Sequence, residues 1–161
     1  MPLEAFQLVA ERHTTDVWRF CASQVGTELA DECYQETMLA ALRAYPRLRD
    51  PRAVLPWLLR IAQRKAIDLR RASAREALPQ EDLDAGVTRP QEVPDGSLVE
   101  LLRELPAKQR AALAYRFVAD LPYREIGALM DTSEAAARRN VHEGIKRLRA
   151  RLPGRATSKP T

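Results

Sequence analysis

The sequence predicts an all-α protein made of two small helical domains joined by a flexible acidic linker. Three observations predict it. Apolar residues recur at steps of three and four through most of the 161 residues, the spacing of one helix face. No stretch alternates apolar and polar residues as a half-buried strand does. Residues 76–96 interrupt the pattern with prolines, glycines and acids, and a gap of that length exceeds the roughly 15 residues that compact domains usually leave unstructured. A hydrophobic content of 45% is enough for a core, although two bundles of this size are each marginal alone.

The elements follow in order. Residues 3–25 read as one helix, with Leu3, Phe6, Val9, Ala10, Val17, Phe20 and Cys21 at helical spacing. Residues 30–45 read as a second, with Ala30, Cys33, Tyr34, Thr37, Met38, Ala41, Leu42 and Tyr45 on one side, and Pro46 and Asp50-Pro51 break it. A third runs from 52 to 74, with Ala53, Trp57 and Ile61 inward and Pro56 in its first turn, where proline is tolerated. After the linker, Ser97 can cap a helix holding Leu98, Leu101, Leu102 and Leu105. Pro106 opens another through Ala119, and Leu121-Pro122 punctuates. Residues 122–130 make a short helix, Asp131-Thr132-Ser133 a turn in which Thr132 or Ser133 is the cap, and residues 134–152 the last helix. The expected division is a first domain at 1–75, a linker at 76–96, a second domain at 97–153 and a frayed tail at 154–161.

The formal net charge of +4 says little, but its distribution says more. Residues 60–75 carry Arg60, Arg64, Lys65, Arg70, Arg71 and Arg75 against Asp68 alone. Residues 133–161 carry eight basic residues against Glu134 and Glu143, while residues 76–100 carry seven acids against Arg89. Two basic segments separated by an acidic one suggest two contacts with nucleic acid and a linker that avoids it. Trp57, beside the first basic segment, reads either as core or as a base-stacking residue.

Cys21, Cys33, His13 and His142 show no ligand spacing, so no metal site is expected. The cysteines read as small buried hydrophobes, with a redox pair or a Cys/His zinc site as the alternative. No apolar run is long enough to cross a bilayer, and the first residues lack the basic start of a signal peptide. A cytoplasmic protein with no membrane association is expected. No nucleophile–His–acid set, phosphate-cradling glycine loop or paired metal ligands appear, so no catalytic residues and no cofactor are assigned and an enzyme is disfavoured.

Residues 122–151 have helix-turn-helix proportions. Ile126, Leu129 and Met130 supply the first helix's buried face, and Gly127 is small where two helices would cross. In the second helix Ala137, Val141, Ile145, Leu148 and Leu152 form an apolar stripe. Arg138, Arg139, His142, Lys146 and Arg149 lie opposite, and Ala135 and Ala136 are small enough to let the helix sit deep in a major groove. A solvated basic face is the alternative, which the turn and its cap weigh against.

Taken together, DECYQETMLAALRAYPRL, WLLRIAQRKAIDLRR and LPAKQR…LPYREIG…TSEAAARRNVHEGIKRLR, in that order, resemble an extracytoplasmic-function (group 4) sigma factor of the bacterial sigma-70 family. The likeness covers about residues 3–75 and 98–152. It implies a sigma-2-like bundle that binds core RNA polymerase and melts the −10 element, and a sigma-4-like helix-turn-helix that reads the −35 element. By that resemblance Asp31, Glu32, Gln35, Glu36 and Leu39 face the polymerase clamp. Arg47, Arg49, Asp50 and Arg52 match the loop that captures a flipped −10 base, a step costing a few kcal/mol. Trp57, Arg60, Arg64, Lys65 and Arg71 belong with the −10 contacts. Ser133, Arg138, Arg139, Asn140, His142, Glu143 and Lys146 belong with the −35 duplex.

The sequence departs from the family at Cys33, usually leucine, at Arg64, usually asparagine, and at Ala136 and Glu143, usually threonine and arginine. Glutamate accepts from cytosine N4 where arginine prefers guanine, so the departure at Glu143 changes base preference. The resemblance further implies polymerase core (clamp and flap) and promoter DNA as partners, an anti-sigma factor as a possible regulator, and a monomer when free. A stand-alone helix-turn-helix regulator is the other reading; such proteins usually dimerise on half-sites a helical turn apart.

Overall fold

The computed structural model describes residues 2–76 and 96–151. Eight α-helices account for most of them: α1 (Pro2–Arg12), α2 (Thr14–Val25), α3 (Thr27–Ala44), α4 (Val54–Glu76), α5 (Gly96–Arg103), α6 (Ala107–Phe117), α7 (Tyr123–Leu129) and α8 (Glu134–Ala150). Short 3₁₀ turns at Tyr45–Arg47 and Pro51–Ala53 carry the chain from α3 to α4. Among the described residues there is no strand.

The expected single helix over 3–25 is two helices. His13, at φ −113° and ψ 13°, leaves helical geometry, and the Thr14 hydroxyl donates to Ala10 O at 2.9 Å. A local hydroxyl–carbonyl bond of this kind competes with the helix ladder, which periodicity alone does not reveal. Gly26, at φ +90°, ends α2, and α3 therefore starts at Thr27 instead of residue 30. Helix α4 runs on to Glu76, two residues past the end expected for it, and α5 begins at Gly96, so Ser97 lies inside the helix it was expected to cap. Helix α6 stops at Phe117, not Ala119; Asp120, in the left-handed region at φ 54°, turns the chain there. Leu152, residues 77–95 and the expected tail at 154–161 lie outside the described residues.

Helices α2, α3 and α4 pack mutually, and α6, α7 and α8 pack mutually. The two groups also touch: α5 and α6 lie on α2, and α7 reaches α4. One buried cluster consequently runs through both, from Phe20, Cys21, Leu58 and Leu59 to Leu113, Tyr115, Ile126 and Val141. At the junction the Phe20 and Tyr115 rings stack at 5.0 Å between centroids, 24° from parallel. Both are essentially inaccessible, and burial pushes the Tyr115 hydroxyl above its ordinary pKa. Next to the stack, Gln24 Nε2 reaches Arg110 O at 3.5 Å and Arg110 Nε donates to Gln24 Oε1 at 3.4 Å. Cys21 and Cys33 are buried free thiols. The neighbouring Cys33 and burial both raise the Cys21 thiol, so it stays protonated and neutral.

Candidate nucleic-acid interface

Helix α8 is set in place by its turn. Asp131 takes φ 55°, a conformation that aspartate tolerates better than most residues. Thr132 N–H donates to Gly127 O at 2.8 Å, closing the turn onto α7. Ser133 then adopts extended geometry and its Oγ accepts from Ala136 N–H at 3.0 Å, an N-cap worth about 1 kcal/mol. Gly127 was expected to relieve a helix crossing. It instead relieves the turn itself, because a Cβ there would lie 2.9 Å from Thr132 O and 3.0 Å from Ser133 C. The true helix crossing is at Gly144, where a Cβ would meet Leu113 Cδ1 at 2.7 Å.

With Ala137, Val141 and Gly144 buried against α6 and α7, the opposite face of α8 is fixed outward. Arg138, Arg139, His142, Glu143, Lys146 and Arg149 are exposed, and Asn140 is half-buried. Arg138 is held from two sides. Its Nη2 lies 3.4 Å from Glu134 Oε2, and its guanidinium sits 4.8 Å from the Tyr123 ring centroid. Arg116 lies over the same ring at 5.1 Å. Cation–π contacts of this kind contribute about 0.5–1 kcal/mol at exposed sites, enough to bias a flexible side chain. Arg116, Tyr123, Arg124 and Arg138 border a shallow depression of about 400 Å³ beside the start of α8. Tyr123, Arg116 and Arg124 are not among the residues expected from the sequence, since Arg116 lies seven and Arg138 fifteen positions from Tyr123 and the three meet only in the fold.

Helix α4 carries the second basic face. Trp57, Arg60, Arg64 and Arg71 share one side by helical spacing, and Lys65 lies about 100° round from Arg64. Arg64 and Arg71 are exposed, Arg60 and Lys65 half-buried. Trp57 is half-buried: it packs on Tyr45, with centroids 6.3 Å apart, and it also lines a pocket. That pocket, about 300 Å³, is bounded by Leu48, Arg49, Asp50, Trp57 and Arg60 and, from α7, by Leu129. Asp50 fixes the loop, its Oδ1 accepting from Arg52 N–H at 2.9 Å. Arg47, Arg49 and Arg52 project into solvent around it. Arg60 Nη2 donates to Ala128 O at 3.2 Å, so one −10 candidate is already tied to the helix-turn-helix unit.

The third surface is the outer face of α3. Asp31, Glu32, Gln35, Glu36 and Leu39 are all exposed and follow one stripe. Asp31 Oδ1 accepts from Trp18 Nε1 at 2.8 Å, which anchors the stripe to α2. Leu39, 52% exposed, adds an apolar spot at its end. The inner face of α3 is buried, with the Thr37 hydroxyl donating to Cys33 O at 2.7 Å. No helix among the described residues is long and apolar enough to cross a membrane.

A capped outward-facing basic helix on a short support helix is the architecture of a DNA-reading helix-turn-helix protein. The sigma-70 region 2 family matches residues 9–76 and the sigma-70 region 4 family matches residues 95–148. ECF RNA polymerase sigma factor SigD of Mycobacterium tuberculosis is 36% identical over 160 residues, covering 90% of this chain and 76% of SigD. RNA polymerase sigma factor CarQ of Myxococcus xanthus is 32% identical over 158 residues, covering 92% of this chain and 90% of CarQ. The fold matches the sigma factor RpoE in its complex with the anti-sigma factor NepR from Bartonella quintana, with a TM-score of 0.80 at 16% identity over 97% of this chain and 99% of that one. The chain belongs to the extracytoplasmic-function sigma factors of the sigma-70 family and serves promoter-directed initiation with RNA polymerase.

Proposed function

We propose that three separate faces divide the work: α3 docks on the polymerase core, α4 with its preceding loop captures the −10 strand, and α8 reads the −35 duplex. The observation that carries this is the segregation of charge. Acids and Leu39 share the outer face of α3, whereas arginines dominate the exposed faces of α4 and α8. Arg138 and Arg139, near the N-terminal end of α8, would meet base edges, and Lys146 and Arg149, farther along, phosphates. The chain acts by binding, in the cytoplasm, and leaves catalysis to the polymerase. The first domain extends from residue 1 to 75 and the second from 97 to 153. The packing of α7 on α4 adds a condition. A −10 base entering beside Trp57 would meet Leu129 at the pocket wall, and Arg60 would exchange Ala128 O for a phosphate. Polymerase binding supplies free energy for that exchange. An anti-sigma factor, of the kind bound to RpoE in the matching structure, would hold the same surfaces unavailable.

Gln35→Ala or Glu36→Ala is expected to weaken polymerase binding about tenfold, or about 1.4 kcal/mol. Because both side chains are exposed, thermal unfolding should not change. Titration of labelled protein against core polymerase measures the first and calorimetry the second. Unaltered polymerase affinity removes α3 from the docking face, and loss of thermal stability alongside affinity reports misfolding instead.

A further inference from the structure

The junction between the two halves holds a cleft of about 690 Å³ that shares no described lining residue with the pocket beside Trp57. Four arginines line it: Arg70 and Arg71 from α4, Arg103 from α5 and Arg110 from α6. No carboxylate is among its described lining residues. Val25, Leu29 and Ile67 supply an apolar wall. Arg110 is only 4% exposed. Its Nη1 donates to Arg103 O at 3.2 Å and Leu105 O at 3.1 Å, but its Nη2, also buried, has no partner among the described residues.

A buried cation beside like charges is costly unless an anion joins it. Burial first, then Arg70 and Arg103, lower the Arg110 pKa to about 10; burial and Arg103 lower that of Arg70. Both remain charged at neutral pH, so the repulsion stays in place. Planar guanidinium forks fit phosphate oxygens pairwise, and a cleft this large takes more than one phosphate group.

We infer that this cleft binds a small polyphosphate anion, free or nucleoside-linked, which bridges guanidiniums from both halves. Because the site is complete only when α4 meets α5 and α6, the anion stabilises the packed arrangement by linkage. The inference rests on the junction; of its four arginines only Arg71 also stands among the −10 candidates.

Calorimetric titration and thermal unfolding of the full chain with sodium tripolyphosphate, GTP, guanosine and ionic-strength-matched sodium chloride test it. Saturable one-to-one binding of tripolyphosphate and GTP is expected, with a raised Tm, and no comparable effect of sodium chloride. Tighter binding of GTP than of tripolyphosphate, with weak binding of guanosine, identifies the nucleoside-linked source; equal binding identifies the phosphates alone. Arg70→Gln and Arg103→Gln should each weaken binding at least tenfold, whereas Arg138→Gln should not. Absence of saturable binding overturns the inference, as does binding that survives Arg70→Gln and Arg103→Gln unchanged.

Discussion

Phe20→Ala is expected to cost the folded chain about 3–5 kcal/mol, the range for truncating a fully enclosed aromatic side chain. The ring has no solvent exposure, and its removal leaves a void that the α2–α3–α4 bundle cannot fill from its own residues without shifting helices. It also removes the stack on Tyr115, which joins the first three-helix group to α6. A double-mutant cycle with Tyr115→Ala separates the two contributions. Stacked aromatic pairs contribute about 0.5–1.5 kcal/mol beyond area, so a coupling of that size is expected from denaturant unfolding. Zero coupling, with each single variant still destabilised, would mean that the halves do not stack in solution.

Gly127→Ala is expected to destabilise the chain by about 1–3 kcal/mol and to abolish the −35 footprint. Alanine improves intrinsic helix propensity by about 1 kcal/mol, which works the other way. Sterics win because the neighbours at 2.9 and 3.0 Å are backbone atoms of Thr132 and Ser133, which cannot rotate aside. Opening that turn displaces the Ser133 cap and tilts α8 off its supports. Arg138→Ala provides the contrast: the fold should keep its stability while −35 binding falls by about 1–3 kcal/mol, as a lost bidentate base contact would. Footprinting with holoenzyme reads both variants. A normal footprint in Gly127→Ala contradicts the turn's role, and one in Arg138→Ala removes that residue from the base contacts.

Much of the fold was legible because helix periodicity and local punctuation act over a few residues. Pro46, Pro51, Pro106 and Pro122 each mark a break that the chain makes, and Thr132-Ser133 announces the cap of α8. The apolar stripe of α8 was equally readable, since Ala137 and Val141 need only one neighbouring surface. What escaped depends on residues distant in sequence. Arg110 reads as one more surface arginine in LPAKQR, yet it is buried because Gln24, 86 positions earlier, and two carbonyls receive its donors. The break at His13 carries no proline or glycine, and the apolar spacing continues through it. Gly144 could have been noticed, because glycine lowers helix stability and needs a reason to sit mid-helix; Leu113 is that reason. The contact of α7 with α4 had no local signature, since Arg60 and Ala128 meet only through the tertiary fold. For the candidate site, the residue lists for α3, α4 and α8 fall on exposed or half-exposed faces, but Tyr123, which holds Arg138, is visible only in three dimensions.

Run-off transcription by core RNA polymerase on a randomised promoter library, with and without this protein, tests promoter-directed initiation most directly. Initiation is expected from a defined set of promoters sharing −35 and −10 elements, only when protein and core are both present, with weak DNA binding by the protein alone. No stimulation on any promoter, together with tight sequence-specific DNA binding in the absence of polymerase, would contradict it.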